Sequence, residues 1–214
     1  MTSALVISLK VLAVNIPLLL ILGTTLGWLL AKRTFPGREL LHLIVLLPVV
    51  LPPSVLGLYL LMVMGRVPLL HDLGLLFSFP AAALAPLLPA LPIMVQAARS
   101  GFASVDSQLE DAARTLGDGE WAVFRRISFP LARRFLLAGL ALSSARALGD
   151  FGVTLMIAGN IPGRTQTLPL YIYSRVESLD FALAHLAALL LTSVGLASLL
   201  LVRRMEGTGH GPLA

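Results

Sequence analysis

The sequence predicts an all-α integral membrane protein with about five transmembrane helices and one large polar loop. Of its 214 residues, 57% are hydrophobic and only 13% are charged, whereas about 25% of residues are charged in an average soluble domain. Apolar runs of about 20 residues or more, each sufficient to cross a bilayer, recur along the chain. Because the chain has no cysteine, disulfides and thiolate metal sites are excluded.

The first apolar run is retained as a helix rather than treated as a signal peptide. Lys32, Arg33 and Arg38 follow the run, whereas the basic residues of a signal peptide precede its apolar core. We predict a single transmembrane domain over residues 1–206 and a flexible Gly-rich tail over 207–214. The predicted spans are residues 11–31, 40–65, 73–98, 135–159 and 181–202.

The basic residues predict the orientation of these spans, because cytoplasmic loops carry the excess of Lys and Arg. Residues 32–39, 99–134 and 203–214 hold eleven of the sixteen Lys and Arg residues, and the loops on the other side hold four. We therefore expect the N-terminus outside and the C-terminus in the cytoplasm. An odd number of spans agrees with this arrangement, and the net charge of +5 then reflects topology rather than nucleic-acid binding.

Prolines are concentrated in the second and third predicted spans. Each removes a backbone donor and tends to kink its helix, and a broken helix survives in a bilayer where protein or water satisfies the freed carbonyls. Pro52, Pro53 and the adjacent Ser54 are therefore candidates for lining or gating a pathway. The alternative is that proline is simply more frequent in membrane helices than in soluble ones.

Arg146 and Asp150 lie four residues apart in the fourth predicted span, where an unpaired charge is costly. We predict that they form a structural or gating pair; the alternative is that Arg146 contacts a translocated oxyanion directly. A permanent intramembrane cation would slow release of such an anion. Uncharged side chains could instead donate hydrogen bonds to an oxyanion, although small polar residues also serve helix packing. These candidates are Ser143, Ser144, Thr154 and Asn160.

The longest polar segment, residues 99–134, predicts two short helices on the cytoplasmic face. Ser107-x-x-Glu110 has the form of a capping box, Glu110 and Arg114 are spaced to pair, and Gly117 is placed to end the helix. A second turn is predicted to end at Pro130. One apolar face opposite acidic residues favours docking into a protein groove over lying on anionic lipid; the apolar positions are Leu109, Ala112, Ala113 and Leu116.

The segment Asp111-Ala112-Ala113-x-x-x-Gly117, nine residues, and then Ile127-x-Phe129-Pro130 resembles the EAA loop of binding-protein-dependent ABC importer permeases. That pattern is Glu-Ala-Ala-x3-Gly-x9-Ile-x-Leu-Pro. The spacing matches throughout, while Asp111 replaces Glu and Phe129 replaces Leu.

The resemblance implies the type I ABC importer permease fold, with this loop as a coupling helix inserted into a cleft of an ATPase subunit. No G-x-x-x-x-G-K-[ST] phosphate loop is present, so ATP would be bound by a separate chain. The chain itself would be no enzyme and would need no cofactor. The positions that would carry the coupling role are Glu110, Asp111, Ala112, Ala113, Arg114, Leu116 and Gly117.

Three further stretches resemble the permeases of molybdate importers in order and spacing: residues 47–57, 145–152 and 161–169. The resemblance implies a homodimer in the cytoplasmic (inner) membrane with two ATPase subunits and an external molybdate-binding protein. Tungstate and sulfate or thiosulfate permeases share parts of the pattern and remain alternatives. A stand-alone secondary transporter would need an intramembrane proton relay, and an intramembrane enzyme would need a nucleophile or metal motif that the sequence lacks.

Overall fold

The computed structural model describes residues 1–68 and 73–207, and within these ranges every regular element is a helix. This confirms the all-α fold. Of the predicted tail, residues 208–214 lie outside the described part of the chain. The helices are α1 (Thr2–Lys32), α2 (Arg38–Val50), α3 (Pro53–Arg66), α4 (Phe79–Leu84), α5 (Leu87–Ala103), α6 (Ser107–Thr115), α7 (Glu120–Val123), a π-helical turn (Phe124–Ser128), α8 (Phe129–Leu148), α9 (Gly152–Ala158), α10 (Leu168–Glu177) and α11 (Phe181–Gly207).

Helices α1, α5 and α8 form the centre of the fold, and glycines allow them to approach closely. A Cβ atom added at Gly27 of α1 would lie 2.4 Å from the Ala98 Cβ and 2.9 Å from the Arg99 amide nitrogen of α5. A Cβ atom at Gly139 of α8 would lie 2.4 Å from the Ala97 Cβ. Small residues at helix contacts are the usual device for close packing within a membrane, and the Gly23-x-x-x-Gly27 pattern of α1 follows it.

We expect Gly27→Ala to destabilise the protein by about 2 kcal/mol, because the added methyl group overpacks a contact with the α5 backbone. Gly195→Ala in α11 is the matched control, since nothing lies within 4 Å of its added Cβ atom; it should be neutral or stabilising by up to ~1 kcal/mol. Thermal unfolding of the detergent-solubilised variants measures both. Equal stability of the two variants would contradict the close α1–α5 contact.

The second predicted span is two helices rather than one, because α2 and α3 meet at an angle of 116°. The break lies at Leu51 and Pro52, where the backbone is extended, since Pro53 cannot donate to a continuing α-helix. Val45 of α2 shares a small buried cluster with Leu30 of α1 and Val95 of α5, and Met64 of α3 belongs to a larger one with Ile7 and Val11 of α1. Helix α2 packs mainly on α5, and α3 packs mainly on α9.

Two other spans are also interrupted. The third begins at Phe79 rather than residue 73 and breaks between α4 and α5, where the buried Asn15 amide of α1 donates to the Ala83 carbonyl at 2.8 Å. The fourth bends by 57° between α8 and α9. Among the described residues, α1 and the segment Phe79–Ala103, which is α4 and α5 taken together, are long and apolar enough to cross a membrane. The number rises to four if each of the two bent pairs is one span, and Phe181–Ala197 is a shorter apolar segment. The total of five spans stays a prediction.

The two long polar segments lie at opposite ends of α1. Near its N-terminus, the Ser8 hydroxyl accepts the Leu168 amide at the start of α10 (2.8 Å). Near its C-terminus, Arg38 donates to the Leu30 carbonyl and Lys32 donates to Glu110 of α6. The segment from 99 to 134 and the loop before α10 are thus on different sides, while the side that faces the cytoplasm stays a prediction from the charges.

Candidate functional site

The first candidate region is helix α6 and the chain that follows it. The N-cap is Asp106, whose carboxylate accepts the Gln108 amide at 2.9 Å, so the prediction of a capping box from Ser107 is wrong by one residue. Glu110 does not reach back to the cap, because its carboxylate is held by residues of other helices. An Asp at the N-cap still satisfies an orphan amide of the first turn.

The predicted end of α6 at Gly117 is confirmed. Gly117 has φ +95°, a left-handed conformation that favours glycine. The Asp118 amide donates to the Ala113 carbonyl (3.1 Å) and the Gly117 amide to the Arg114 carbonyl (3.0 Å), which is the Schellman arrangement. Helix α6 is therefore a short, defined rod closed at both ends.

The apolar face predicted for α6 points mostly away from the rest of the chain. Of its four residues only Ala113 is buried, while Leu109 is 50% exposed and Leu116 is 89% exposed. Trp121 at the start of α7 is 73% exposed. Large apolar side chains that are exposed on a polar segment are candidates for contact with a partner.

Glu110 is buried, and the predicted pairing of Glu110 with Arg114 is wrong. One carboxylate oxygen accepts Lys32 Nζ at 2.9 Å and the other accepts the Ser128 hydroxyl at 2.6 Å. Lys32 also donates to the Val105 carbonyl at 3.1 Å. Three parts of the chain that are distant in sequence thus meet at one carboxylate.

Arg114 instead belongs to an exposed chain of ion pairs. It contacts Asp111 and Glu120, each at 2.7 Å, and Glu120 also contacts Arg33 at 3.1 Å. The hydrogen bond from Arg114 lowers the pKa of Glu120, and the same bond raises the pKa of Arg114. Exposed pairs of this kind contribute little to stability individually.

Pro130 does not end the second short helix, contrary to the sequence prediction. Residues Phe124–Ser128 form a π-helical turn that leads directly into α8, with the Phe129 amide donating to the Phe124 carbonyl. The wider turn accommodates a proline that has no N–H group, and such π-bulges frequently occur at functional sites. Helix α7, the π-helical turn and α8 therefore form one continuous helical path.

A polar cavity of about 750 Å³ lies between the end of α1 and α6. Its basic lining residues Lys32, Arg33 and Arg114 are each paired with a carboxylate. An anion would have to displace those carboxylates, so the cavity is poorly suited to an oxyanion.

The second candidate region surrounds Asp150, at the break between α8 and α9. Its side chain is fully buried and accepts the Thr154 amide (3.1 Å) and the Thr154 hydroxyl (2.9 Å). Arg146 lies 3.4 Å away, with its side chain 33% exposed. The predicted pair of Arg146 and Asp150 thus forms, with Thr154 as the nearer partner of the carboxylate.

The predicted gating residues of the second span lie next to this break. A Cβ atom added at Gly152 would lie 2.9 Å from the Pro53 Cβ and 3.1 Å from the Ser54 amide. Pro52, Pro53 and Ser54 are exposed, and α3 packs along α9. The two broken helices therefore meet at their breaks, which brings together both groups of residues that the sequence singled out.

The other neutral donors are dispersed. Ser143 donates to the Leu140 carbonyl of its own helix, and Asn160 donates to Ser174 and accepts from Gln166. The buried Ser144 hydroxyl has no hydrogen-bond partner among the described residues. Across the part of the chain that the structure describes, no three His, Asp or Glu side chains are grouped to hold a metal ion.

Comparison with known proteins places the chain in a family. The family model described as "Binding-protein-dependent transport system inner membrane component" matches residues 23–207. The chain belongs to this family. The family predicted from the sequence is thereby confirmed, and α6 lies within the matched range.

Among its relatives, this inner membrane component is 42% identical over 186 residues to the putative molybdenum transport system permease protein YvgM of Bacillus subtilis (strain 168), covering 84% of this chain and 82% of the relative. It is 41% identical over 182 residues to the molybdenum transport system permease protein ModB of Escherichia coli (strain K12), covering 82% and 80%. It is 33% identical over 199 residues to the sulfate transport system permease protein CysW of Synechococcus elongatus, covering 90% and 70%.

Sequence reasoning missed two residues of this inner membrane component, Lys32 and Ser128. Their shared partner Glu110 lies 78 and 18 residues away in sequence, so no local pattern joins them. The one local indication of a buried contact is the spacing of Glu110 and Ala113, which places this acid on the same side of α6 as a small apolar residue.

Proposed function

We propose that this chain is the transmembrane permease subunit of an ATP-driven importer that carries molybdate across the cytoplasmic membrane. The observation that carries this proposal is the 41–42% identity, over about four-fifths of each chain, to relatives named as molybdenum permeases. The identity to a relative named as a sulfate permease is lower, at 33%. The chain binds no ATP itself in this proposal.

Helix α6 is the element that receives the force from a separate ATPase. Its capped ends make it rigid, and its exposed Leu109, Leu116 and nearby Trp121 offer apolar anchors for a groove on a partner. A homodimer of the chain would present two such helices to two ATPase subunits. The N-terminus and the loop before α10 would face outward, toward an external binding protein, and the C-terminus would lie in the cytoplasm.

The meeting point of the two helix breaks is the proposed gate. Asp150 neutralises Arg146, so the pathway keeps no strong cationic trap for a dianion, and conduction requires binding that is weak enough to release. Broken helices also supply backbone groups at membrane depth. Pro53 and Ser54, which follow Pro52 at the break, would change their contacts with Gly152 when the gate opens.

Molybdenum content measured by mass spectrometry tests the substrate. We expect cells that lack the gene to lose molybdenum accumulation at nanomolar external molybdate and to keep sulfate uptake, and an intact plasmid copy to restore the loss. Excess tungstate added to complemented cells measures selectivity between the two oxyanions. Unchanged molybdenum accumulation with lost sulfate uptake would reject molybdate in favour of sulfate, the alternative that the sulfate permease relative supports.

A further inference from the structure

The contact between α6 and α1 is made by two charged side chains that are largely buried. Glu110 is 4% exposed, and the Lys32 side chain that contacts it is 17% exposed. Both oxygens of the carboxylate and the lysine ammonium are occupied by partners from other segments. A charge-assisted contact of this kind is stronger and more directional than one between neutral groups.

The contact joins three elements that do not follow one another directly along the chain. Lys32 is the last residue of α1, Glu110 lies in α6, and Ser128 ends the π-helical turn before α8. Few residues separate α6 from α5 or from α7, but Lys32 and Glu110 are 78 residues apart. The contact is thus a tertiary link from α6 to a helix that is not its neighbour in sequence.

A second link from the end of α1, which reaches α7 rather than α6, is exposed. Arg33 pairs with Glu120, with side chains 48% and 51% exposed. Water and salt screen such a pair, and its two long side chains lose entropy when they are held together. Of the two links, only the one through Glu110 is shielded from water, so only this link is expected to keep its geometry when α6 is displaced.

We propose that Glu110, Lys32 and Ser128 form a lock that makes the end of α1 move with α6, so that displacement of α6 reaches the gate through α1. This rests on the proposed function, in which an ATPase displaces α6. Glu110 and Lys32 act here as positioning residues.

Helix α1 can carry the displacement to the gate. Its second half packs against α5 and α8 through Gly23, Gly27 and Leu19. Its first half packs, through Ile7 and Val11, in the same cluster as residues of α3 and α9. Those two helices begin at the paired breaks, so a shift of α1 along its axis acts on both sides of the gate.

The test uses the purified complex of this chain with its ATPase, reconstituted in vesicles with the substrate-loaded binding protein. The variant is Glu110→Gln, which keeps the shape and the contact with Ser128 but removes the charge that meets Lys32. We expect the number of ATP molecules hydrolysed per anion transported to rise several-fold, because displacement of α6 would no longer be transmitted fully to α1. Glu120→Gln, which breaks the exposed link, is the matched control and should leave this ratio close to that of the wild type.

A reversible chemical cross-link between α1 and α6 distinguishes a loss of transmitted movement from a loss of protein stability. Because the natural chain has no cysteine, a Lys32→Cys/Glu110→Cys variant can be joined with a short bifunctional thiosulfonate and released with reductant. We expect a high ATP-to-anion ratio when the bridge is open and a ratio near that of the wild type when it is closed. Each single-cysteine variant should not respond to the reagent.

The outcomes distinguish the lock from the function on which it rests. If the wild-type complex transports anion but the ratio is unchanged in Glu110→Gln and in the open cysteine pair, the lock is wrong and the proposed function stands. If Glu110→Gln fails to assemble, the open and closed states of the cysteine pair decide. If the wild-type complex shows no ATP hydrolysis that depends on the binding protein, the proposed function itself fails.

Discussion

Replacing Leu116 with aspartate should abolish association of the chain with its ATPase and, with it, anion uptake. Leu116 is 89% exposed, so its loss removes no packing within the chain, and stability should change by less than about 0.5 kcal/mol. In the proposed complex the same side chain enters an apolar groove, where a desolvated carboxylate without a partner costs several kcal/mol. Co-purification of the ATPase with the tagged chain, together with uptake in cells, measures the effect.

Leu179→Asp is the matched control for this variant. Leu179 is also a largely exposed leucine, at 75%, and it lies after α10, near the other end of α1. Its positive φ of 58° suits aspartate at least as well as leucine. This variant should co-purify normally with the ATPase. Normal co-purification and uptake of Leu116→Asp would show that α6 is not the docking element.

Replacing Asp150 with alanine should destabilise the protein by about 3 kcal/mol, because removing one partner leaves the other charge unpaired at membrane depth. Arg146 would lose its counter-ion, and the Thr154 amide and hydroxyl would lose their shared acceptor. For a chain of this size the midpoint of thermal unfolding should fall by roughly 10 °C. Thermal unfolding in detergent measures this change.

Asp180→Ala is the control for a general effect of losing an aspartate. Asp180 lies 3.7 Å from Arg175 in a partly exposed pair and accepts the Leu183 amide at 3.3 Å. Its loss should cost about 1 kcal/mol, typical of a residue at the start of a helix. A similar loss of stability in both variants would contradict the special position of Asp150.

A neutral double variant then separates the two roles considered for Arg146. Arg146→Met/Asp150→Asn removes both charges and keeps an acceptor for Thr154, so it should regain most of the lost stability, as neutral replacements of ion pairs often do. Uptake by this stable variant would identify the pair as structural. A stable variant without uptake would identify the pair as part of the gate or of the anion pathway.

Local chemistry explains which features could be predicted from the sequence. The apolar runs require helices, because a backbone in lipid must satisfy its own hydrogen bonds. Gly117 ends α6 because the left-handed conformation there is costly for other residues. The Pro52-Pro53 pair predicts a break, although not its 116° angle, which depends on the helices that α2 and α3 pack against.

The errors arise where a side chain had several possible partners. Asp106 and Ser107 are adjacent and both suit the N-cap, and Glu110 had possible partners at its own cap, in Arg114 and elsewhere. The structure resolves this because Lys32 approaches Glu110 from α1, which releases Arg114 to Asp111 and Glu120. Likewise, Pro130 is followed by a continuous helix because a π-helical turn precedes it.

The sequence by itself determined that this protein is a helical membrane component with an exposed, capped helix in its polar loop, because composition, periodicity and capping act over a few neighbouring residues. Only the tertiary structure decided that α6 is attached to α1 and that the breaks at Pro52 and Asp150 face each other. Both features are contacts between residues far apart in the chain, Lys32 with Glu110 and Gly152 with Pro53 and Ser54. They depend on how whole helices pack together, which no run of neighbouring residues specifies.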